Sequence, residues 1–330
     1  MLRSRRTATV LASLATATAL SAALLTPARA AAPTVDLQPQ QLTRGADIAV
    51  PHIEDGQRGD VFVDGARRVE LPGRIARVLG RSGDSWLVGT NNVDRKRNRR
   101  VVRVAPDGSV TDVLRDVDPA GLVLSEDGSA LFAVVRPRRG AATVKVWGAL
   151  LGTDAAERTF RGYPEIVTAS GSKVLLRTTT RTFFWNWARD EVRRPLTTAV
   201  TGLASMEHDL LSVYTKDPYL GGCTKLVRLS KPRVKVWKSC RDRVAAISPD
   251  GTEMLTFHIL TDGLGPNEVR LRGVDGTRLA TYRTNWFGGW GWESPGTVLL
   301  DVNGKHKAAT VRCTLDACEN ATDPVKVQVP

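Results

Sequence analysis

The chain repeats a turn-and-strand unit at a near-constant interval, which restricts it to architectures that use one supersecondary element many times. The clearest copies are Ser248-Pro249-Asp250-Gly251 before a predicted strand at 252–257, and Ser125-Glu126-Asp127-Gly128 before one at 129–135. Weaker copies are Ser82-Gly83-Asp84, Ser170-Gly171, Glu207-His208-Asp209 and Ser294-Pro295-Gly296. Taking Gly83, Gly128, Gly171, His208, Gly251 and Gly296 as markers, the intervals are 45, 43, 37, 43 and 45 residues. Such a period means a radial or solenoidal repeat.

Each unit reads as short alternating apolar runs separated by turn residues, the pattern of antiparallel strands. In the unit of Gly251 the predicted strands are 243–247, 253–257, 268–272 and 277–282, with Asp275-Gly276 turning the last hairpin. Four-stranded units at this spacing build propeller blades. The last hairpin recurs at 60–71, 101–114, 143–160, 182–196, 224–240, 268–282 and 310–322. The expected fold is therefore all-β, a β-propeller of seven four-stranded blades, with six or eight also compatible. The first unit has no full turn motif, and Glu54-Asp55-Gly56 is read as its remnant. Its innermost strand is expected from 35–42, or the ring is closed with help from 325–329.

Ser-Pro-Asp-Gly opening a second strand, and Asp-Gly at a last hairpin as in Pro106-Asp107-Gly108, resemble the repeats of TolB-like and WD-repeat propellers. The hairpin from Val311-Arg312-Cys313 to Cys318-Glu319 is similar to one in secreted actinobacterial propellers of unassigned function. The resemblance covers the chain beyond its first thirty residues and implies architecture, because such folds host many unrelated activities. The Gly-His and Trp-Asp signatures of true WD repeats are absent.

Residues 1–30 place Arg3, Arg5 and Arg6 ahead of an Ala/Leu/Thr-rich run and end in Ala28-Arg29-Ala30. This is the layout of a secretory signal peptide, and it leaves 31–330 as a single propeller domain. Ser4-Arg5-Arg6 keeps the twin-arginine route open beside the general one. No other stretch reaches the roughly 18 apolar residues of a membrane span, so a secreted, extracytoplasmic protein is expected. Cys223 and Cys240 flank one predicted hairpin and Cys313 and Cys318 another, which fits two local disulfides in an oxidising compartment. The formal charge of +13 falls to +9 without the four arginines of the signal.

In an antiparallel meander the second-to-third loops share a rim with the connections between blades. Those loops carry Arg95, Lys96, Arg97, Arg99 and Arg100, then Arg136, Arg138 and Arg139, then Arg177 and Arg181, and in the last blade Lys305 and Lys307. Gathered on one rim they would attract an anion. The expected partner is an anionic envelope polymer or a partner protein, bound by a monomer without a cofactor, and nucleic acid is not expected in that compartment. Trp286, Phe287, Trp290 and Trp292 alternate with Gly288, Gly289 and Gly291, and strict alternation puts the three tryptophans on one face as blade core. No G-x-S-x-G elbow, H-E-x-x-H or phosphate-binding glycine loop occurs. His52, His208, His258 and His306 fall at non-equivalent positions. The reading is a non-catalytic binding propeller; the alternative is an extracytoplasmic hydrolase or lyase acting on a carbohydrate or lactone at the channel. Asn320-Ala321-Thr322 is read as a chance glycosylation sequon.

Overall fold

The computed structural model describes residues 31–92, 99–138 and 140–327. Seven small sheets form a seven-bladed β-propeller. After β1 (Thr34–Asp36), blade 1 is β2 (His52–Glu54), β3 (Val61–Asp64) and β4 (Arg67–Glu70). Blade 2 is β5 (Arg74–Ser82), β6 (Ser85–Asn91), β7 (Arg100–Val104) and β8 (Val110–Arg115). Blade 3 is β9 (Leu122–Leu124), β10 (Ala130–Arg138), β11 (Ala141–Gly148) and β12 (Asp154–Arg161). Blade 4 is β13 (Glu165–Ser170), β14 (Lys173–Arg177), β15 (Thr182–Asn186) and β16 (Glu191–Val192). Blade 5 is β17 (Thr201–Ser205), β18 (Leu210–Tyr214), β19 (Thr224–Arg228) and β20 (Lys235–Ser239). Blade 6 is β21 (Asp242–Ile247), β22 (Glu253–His258), β23 (Glu268–Gly273) and β24 (Arg278–Arg283). Blade 7 is β25 (Trp286–Ser294), β26 (Thr297–Asn303), β27 (Lys307–Thr314) and β28 (Ala317–Asn320), followed by β29 (Val325–Lys326).

The repeated turn works as a small hydrogen-bonded lock. Asp250 accepts from Ser248 Oγ at 2.6 Å and from Thr252 Oγ1 at 2.8 Å, so three residues of the motif hold the chain reversal. In blade 3 the glycine is needed twice over. Gly128 has φ +69°, and a Cβ there would sit 2.3 Å from the carbonyl oxygen of Arg81 in the preceding blade. The same turn is bonded to that blade through Ser82 Oγ, which donates to Gly128 O at 2.6 Å. In blade 5, where no glycine is available, Asp209 takes the left-handed conformation at φ +54°. Its short polar side chain tolerates this and caps Ser230 N at 2.6 Å.

Blades are held to one another by apolar clusters. Phe62 and Val69 of blade 1 pack with Val88 and Val102 of blade 2, and Leu87 and Val101 of blade 2 with Leu131 and Trp147 of blade 3. Phe132 and Phe160 of blade 3 meet Phe183 and Trp185 of blade 4, and Leu175 of blade 4 meets Leu211 and Val227 of blade 5. Leu226 and Trp237 of blade 5 meet Val244 and Met254 of blade 6, and Leu255 and Leu271 of blade 6 meet Val298, Leu300 and Val311 of blade 7. Each fully buried side chain of this size contributes about 1.5–3 kcal/mol, so these six contacts dominate the stability of the ring. Among the described residues no such cluster joins blade 7 to blade 1.

Two sequence expectations about the first blade are corrected. Blade 1 has three strands. Because β4 ends on the rim where β5 begins, β3 and β4 correspond to the third and fourth strands of other blades, and the absent strand is the innermost. Residues 34–36 instead add in parallel to β24 on the outside of blade 6, and β29 pairs with β27. Glu54-Asp55-Gly56 is not a first turn either, since Glu54 ends β2 and the next two residues begin the β2–β3 connection.

The segment after β1 runs as a strap over the outer edges of blades 6 and 7. Leu37 is fully buried in their shared core, and Asn320 Nδ2 donates to Pro39 O at 2.8 Å and to Leu42 O at 3.0 Å. Asn320 is 1% exposed, so the sequon is structural in use. Both disulfides are present: Cys223–Cys240 ties the two ends of the β19–β20 hairpin, and Cys313–Cys318 links facing residues of β27 and β28. No helix among the described residues is long and apolar enough to cross a membrane.

Candidate functional site

The basic rim is the first place to look. Arg95, Lys96, Arg97 and Arg139 lie outside the described residues, and Arg136 and Arg138 lie on β10. The second-to-third loops do meet the connections between blades. Gly162 N donates to Gly140 O at 2.9 Å, and Gly140 N donates to Tyr163 Oη at 2.8 Å. Three of the arginines there face carboxylates: Arg99 lies 3.6 Å from Asp118, Arg100 lies 3.4 Å from Asp112, and Arg177 Nε donates to Glu165 Oε2 at 2.9 Å. Arg177 also reaches Thr201 O of blade 5, so it ties neighbouring blades together. Arg181 stacks on Phe183, its guanidinium 5.0 Å from the ring centroid. Lys305 is exposed, and Lys307 is half-buried where β27 pairs with β29.

The aromatic run is split by backbone geometry. A β-bulge at Gly288 shifts the register between Phe287 and Gly289, so Trp286 shares a face with Asn303 while Trp290 and Trp292 pack toward blade 6 with Val298 and Leu300. Trp290 meets Phe257 edge-on at 4.9 Å between ring centroids. The expectation of three tryptophans on one face is thus corrected by the extra residue, which inverts the alternation. The face turned toward blade 1 carries Trp286 at its start and then only Gly289 and Gly291.

That face forms one wall of a groove of about 960 Å³ in the seam between blades 7 and 1. The wall continues through Leu299, Asp301 and Asn303 on β26 and Ala308 and Thr310 on β27. The opposite wall is the linker residues Arg44, Asp47, Ile48 and Val50, then His52 to Asp55 of blade 1. A Cβ on Gly291 would meet no atom within 4 Å, so bare backbone opens directly into the groove. The volume is that of a small-ligand or peptide site.

The lining carries five carboxylates, from Asp47, Glu54, Asp55, Asp301 and Asp323, against Arg44. Arg44 is engaged by Asp47 and by Asp323, the latter at 2.9 Å. Glu54 accepts from Arg68 Nη2 at 2.6 Å and contacts His52 Nε2 at 3.3 Å. The hydrogen bond from Arg68 holds the Glu54 carboxyl below the usual range. Asp301 accepts a hydroxyl, from Thr310 Oγ1 at 2.8 Å. Among the described residues neither Asp55 nor Asp301 has a basic partner. The seam is therefore acidic within a basic protein.

Above the groove the seam is closed by polar contacts. Arg312 Nη1 and Nη2 donate to Ala46 O at 3.0 Å and Asp47 O at 2.8 Å, while Arg312 also pairs with Glu293 and Glu319. Glu293 in turn accepts from Ala49 N at 2.8 Å. Hydrogen bonding from Arg312 keeps the Glu293 carboxyl below its ordinary range, and Glu293 raises Arg312 further.

These seam residues escaped the sequence reading, although a signal existed. The second strands of blades 2 to 6 carry apolar residues on both faces, as in Leu87-Val88, Leu131-Phe132, Leu175-Leu176, Leu210-Leu211 and Met254-Leu255. In β2 the pattern is His52-Ile53-Glu54, and β26 ends in Asp301-Val302-Asn303. β2 offers an apolar residue on one face only, and β26 has apolar residues on both faces at Leu299-Leu300 but turns polar on one face at Asp301 and Asn303.

Fold and seam together define a seven-bladed propeller with one unsealed interblade contact. Solved structures share the fold. Acylaminoacyl peptidase of Pyrococcus horikoshii superposes with a TM-score of 0.59 at 11% identity, over 84% of this chain and 54% of that one. An oligogalacturonate lyase in complex with manganese superposes with a TM-score of 0.54 at 14% identity, over 78% and 82%. This chain thus spans about half the length of the peptidase, and at these identities the likeness is one of fold. No protein-family model matches the chain, and no curated protein matches it in sequence.

Proposed function

We propose that the protein is an extracytoplasmic, non-catalytic binding propeller, exported by residues 1–30, that takes a cationic ligand in the seam between blades 7 and 1. One observation carries this reading. Six interblade contacts are closed apolar clusters, while the seventh is an open groove of about 960 Å³ whose lining mixes apolar residues such as Ile48, Val50 and Leu299 with five carboxylates and one arginine. These carboxylates are exposed or half-buried, so they stay ionised on the groove walls and attract a ligand of positive charge. Two disulfides fit the oxidising setting. The test is calorimetric titration of the mature protein with spermine, at low and high salt, beside a Gly291→Trp variant that fills the groove. Saturable binding, weakened by salt and by the variant, is expected; equal binding by the variant overturns the seam as the seat.

A second reading keeps the rim as an anion-binding surface. It is favoured by the shared edge of the second-to-third loops, where Arg181 and Lys305 are exposed.

A further inference from the structure

We infer that the seam's natural occupant is an extended peptide of alternating basic and apolar residues, which adds to the edge of β2 as the missing innermost strand of blade 1. This rests on the seam reading above and states which cation the seam takes. β2 pairs with β3 along one edge, and no strand or backbone hydrogen bond occupies its other edge among the described residues. In blades 2 to 7 that position holds a strand: β5, β9, β13, β17, β21 or β25. What blade 1 lacks is therefore a length of backbone, and an unpaired edge is a template for one.

The space beside that edge suits a strand. The groove runs along His52, Ile53, Glu54 and Asp55 and is faced across the seam by the backbone of Gly289 to Gly291, where side chains would obstruct an incoming chain. The alternation of β2 dictates the alternation of its partner. All three residues border the groove, but the side chains of His52 and Glu54 meet at 3.3 Å on one side of β2, while the Ile53 side chain packs against the cluster shared by blades 1 and 2. Facing residues of paired strands share a side. One set of side chains of the added strand then meets Glu54 and, across the seam, Asp301, and the other set lies on the side of Ile53. The first set is basic and the second apolar. Among the described residues β1 pairs with β24 and β29 with β27, and the added strand is taken from another molecule.

The experiment uses three labelled hexapeptides in anisotropy titrations with the mature protein: alternating Lys and Val, alternating Glu and Val, and the Lys/Val peptide with alternate backbone nitrogens methylated. The Lys/Val peptide is expected to bind, the Glu/Val peptide to fail, and methylation to weaken binding by about tenfold or more through lost ladder hydrogen bonds. Gly291→Trp should weaken the Lys/Val peptide in parallel. If the methylated peptide binds as well as its parent, or spermine binds while the Lys/Val peptide does not, strand addition is wrong and the cationic seam stands. If neither spermine nor any peptide binds, both fail.

Discussion

Arg312 Nη2 donates to Glu293 Oε1 at 2.7 Å, and the same guanidinium grips the backbone of Ala46 and Asp47. One ion pair thus fastens the linker that precedes blade 1 onto the face of blade 7, where no apolar cluster does so among the described residues. Their side chains are only 14% and 9% exposed. Arg312→Ala would leave a nearly buried carboxylate with, among the described residues, no countercharge and only the Ala49 amide as a partner, and the expected loss is about 3 kcal/mol in urea unfolding. Arg312→Met with Glu293→Gln should lose less than Arg312→Ala alone. An Arg312→Ala protein as stable as wild type would remove the clasp from this account.

Acid should open the seam before it unfolds the blades. Glu293 and Glu54 are held below their ordinary value of 4.5 by hydrogen bonds from Arg312 and Arg68. A depressed folded pKa stabilises fully above the unfolded pKa, and that stabilisation is lost as pH falls through the folded value. Melting temperature should hold steady down to about pH 5 and then decline. Glu293→Gln should make the decline shallower; an unchanged profile would mean the pair contributes nothing.

Glu126 spans blades on the opposite rim. From the turn of blade 3 its carboxylate accepts from Met206 N at 3.0 Å and Glu207 N at 2.8 Å in blade 5. Glu126→Ala should speed hydrogen exchange at those two amides by about tenfold. Exchange that stays slow would show that neighbouring turns protect them.

The two disulfides should differ in worth. Cys223–Cys240 closes 17 residues and Cys313–Cys318 closes 5. Replacing the first pair by serine is expected to cost ~3 kcal/mol on the chain-entropy account, and replacing the second pair less. Equal losses in urea unfolding would contradict the loop-length argument.

If the rim binds anions, reversing Arg181, Lys305 and Lys307 to glutamate should abolish retention on a heparin column and leave spermine binding in the seam unchanged. Loss of both would mean that the substitutions disturb the fold.

Much of the architecture was legible in local chemistry. The Ser-Pro-Asp-Gly motif forms its own hydrogen bonds through Asp250, so it marks the same turn wherever it occurs. The innermost strands at Glu165, Thr201 and Arg243 follow from their distance to those turns. The cysteine pairs were readable because each brackets one hairpin. What failed was anything that depended on counting through an irregularity. The bulge at Gly288 inverted the face of Trp286, and the missing turn motif of the first unit, the mark of its lost strand, passed for a worn-down copy at Glu54-Asp55-Gly56.

The sequence alone determined the repeat, the strand directions and therefore which loops share a rim, because turn geometry and side-chain alternation are properties of neighbouring residues. Only the tertiary structure decided how the ring closes. Whether Asp301 faces Glu54 across an open seam depends on residues some 250 positions apart in sequence, on a strap routed over blades 6 and 7, and on the absence of one strand. Such long-range placement follows from packing, which no local pattern encodes.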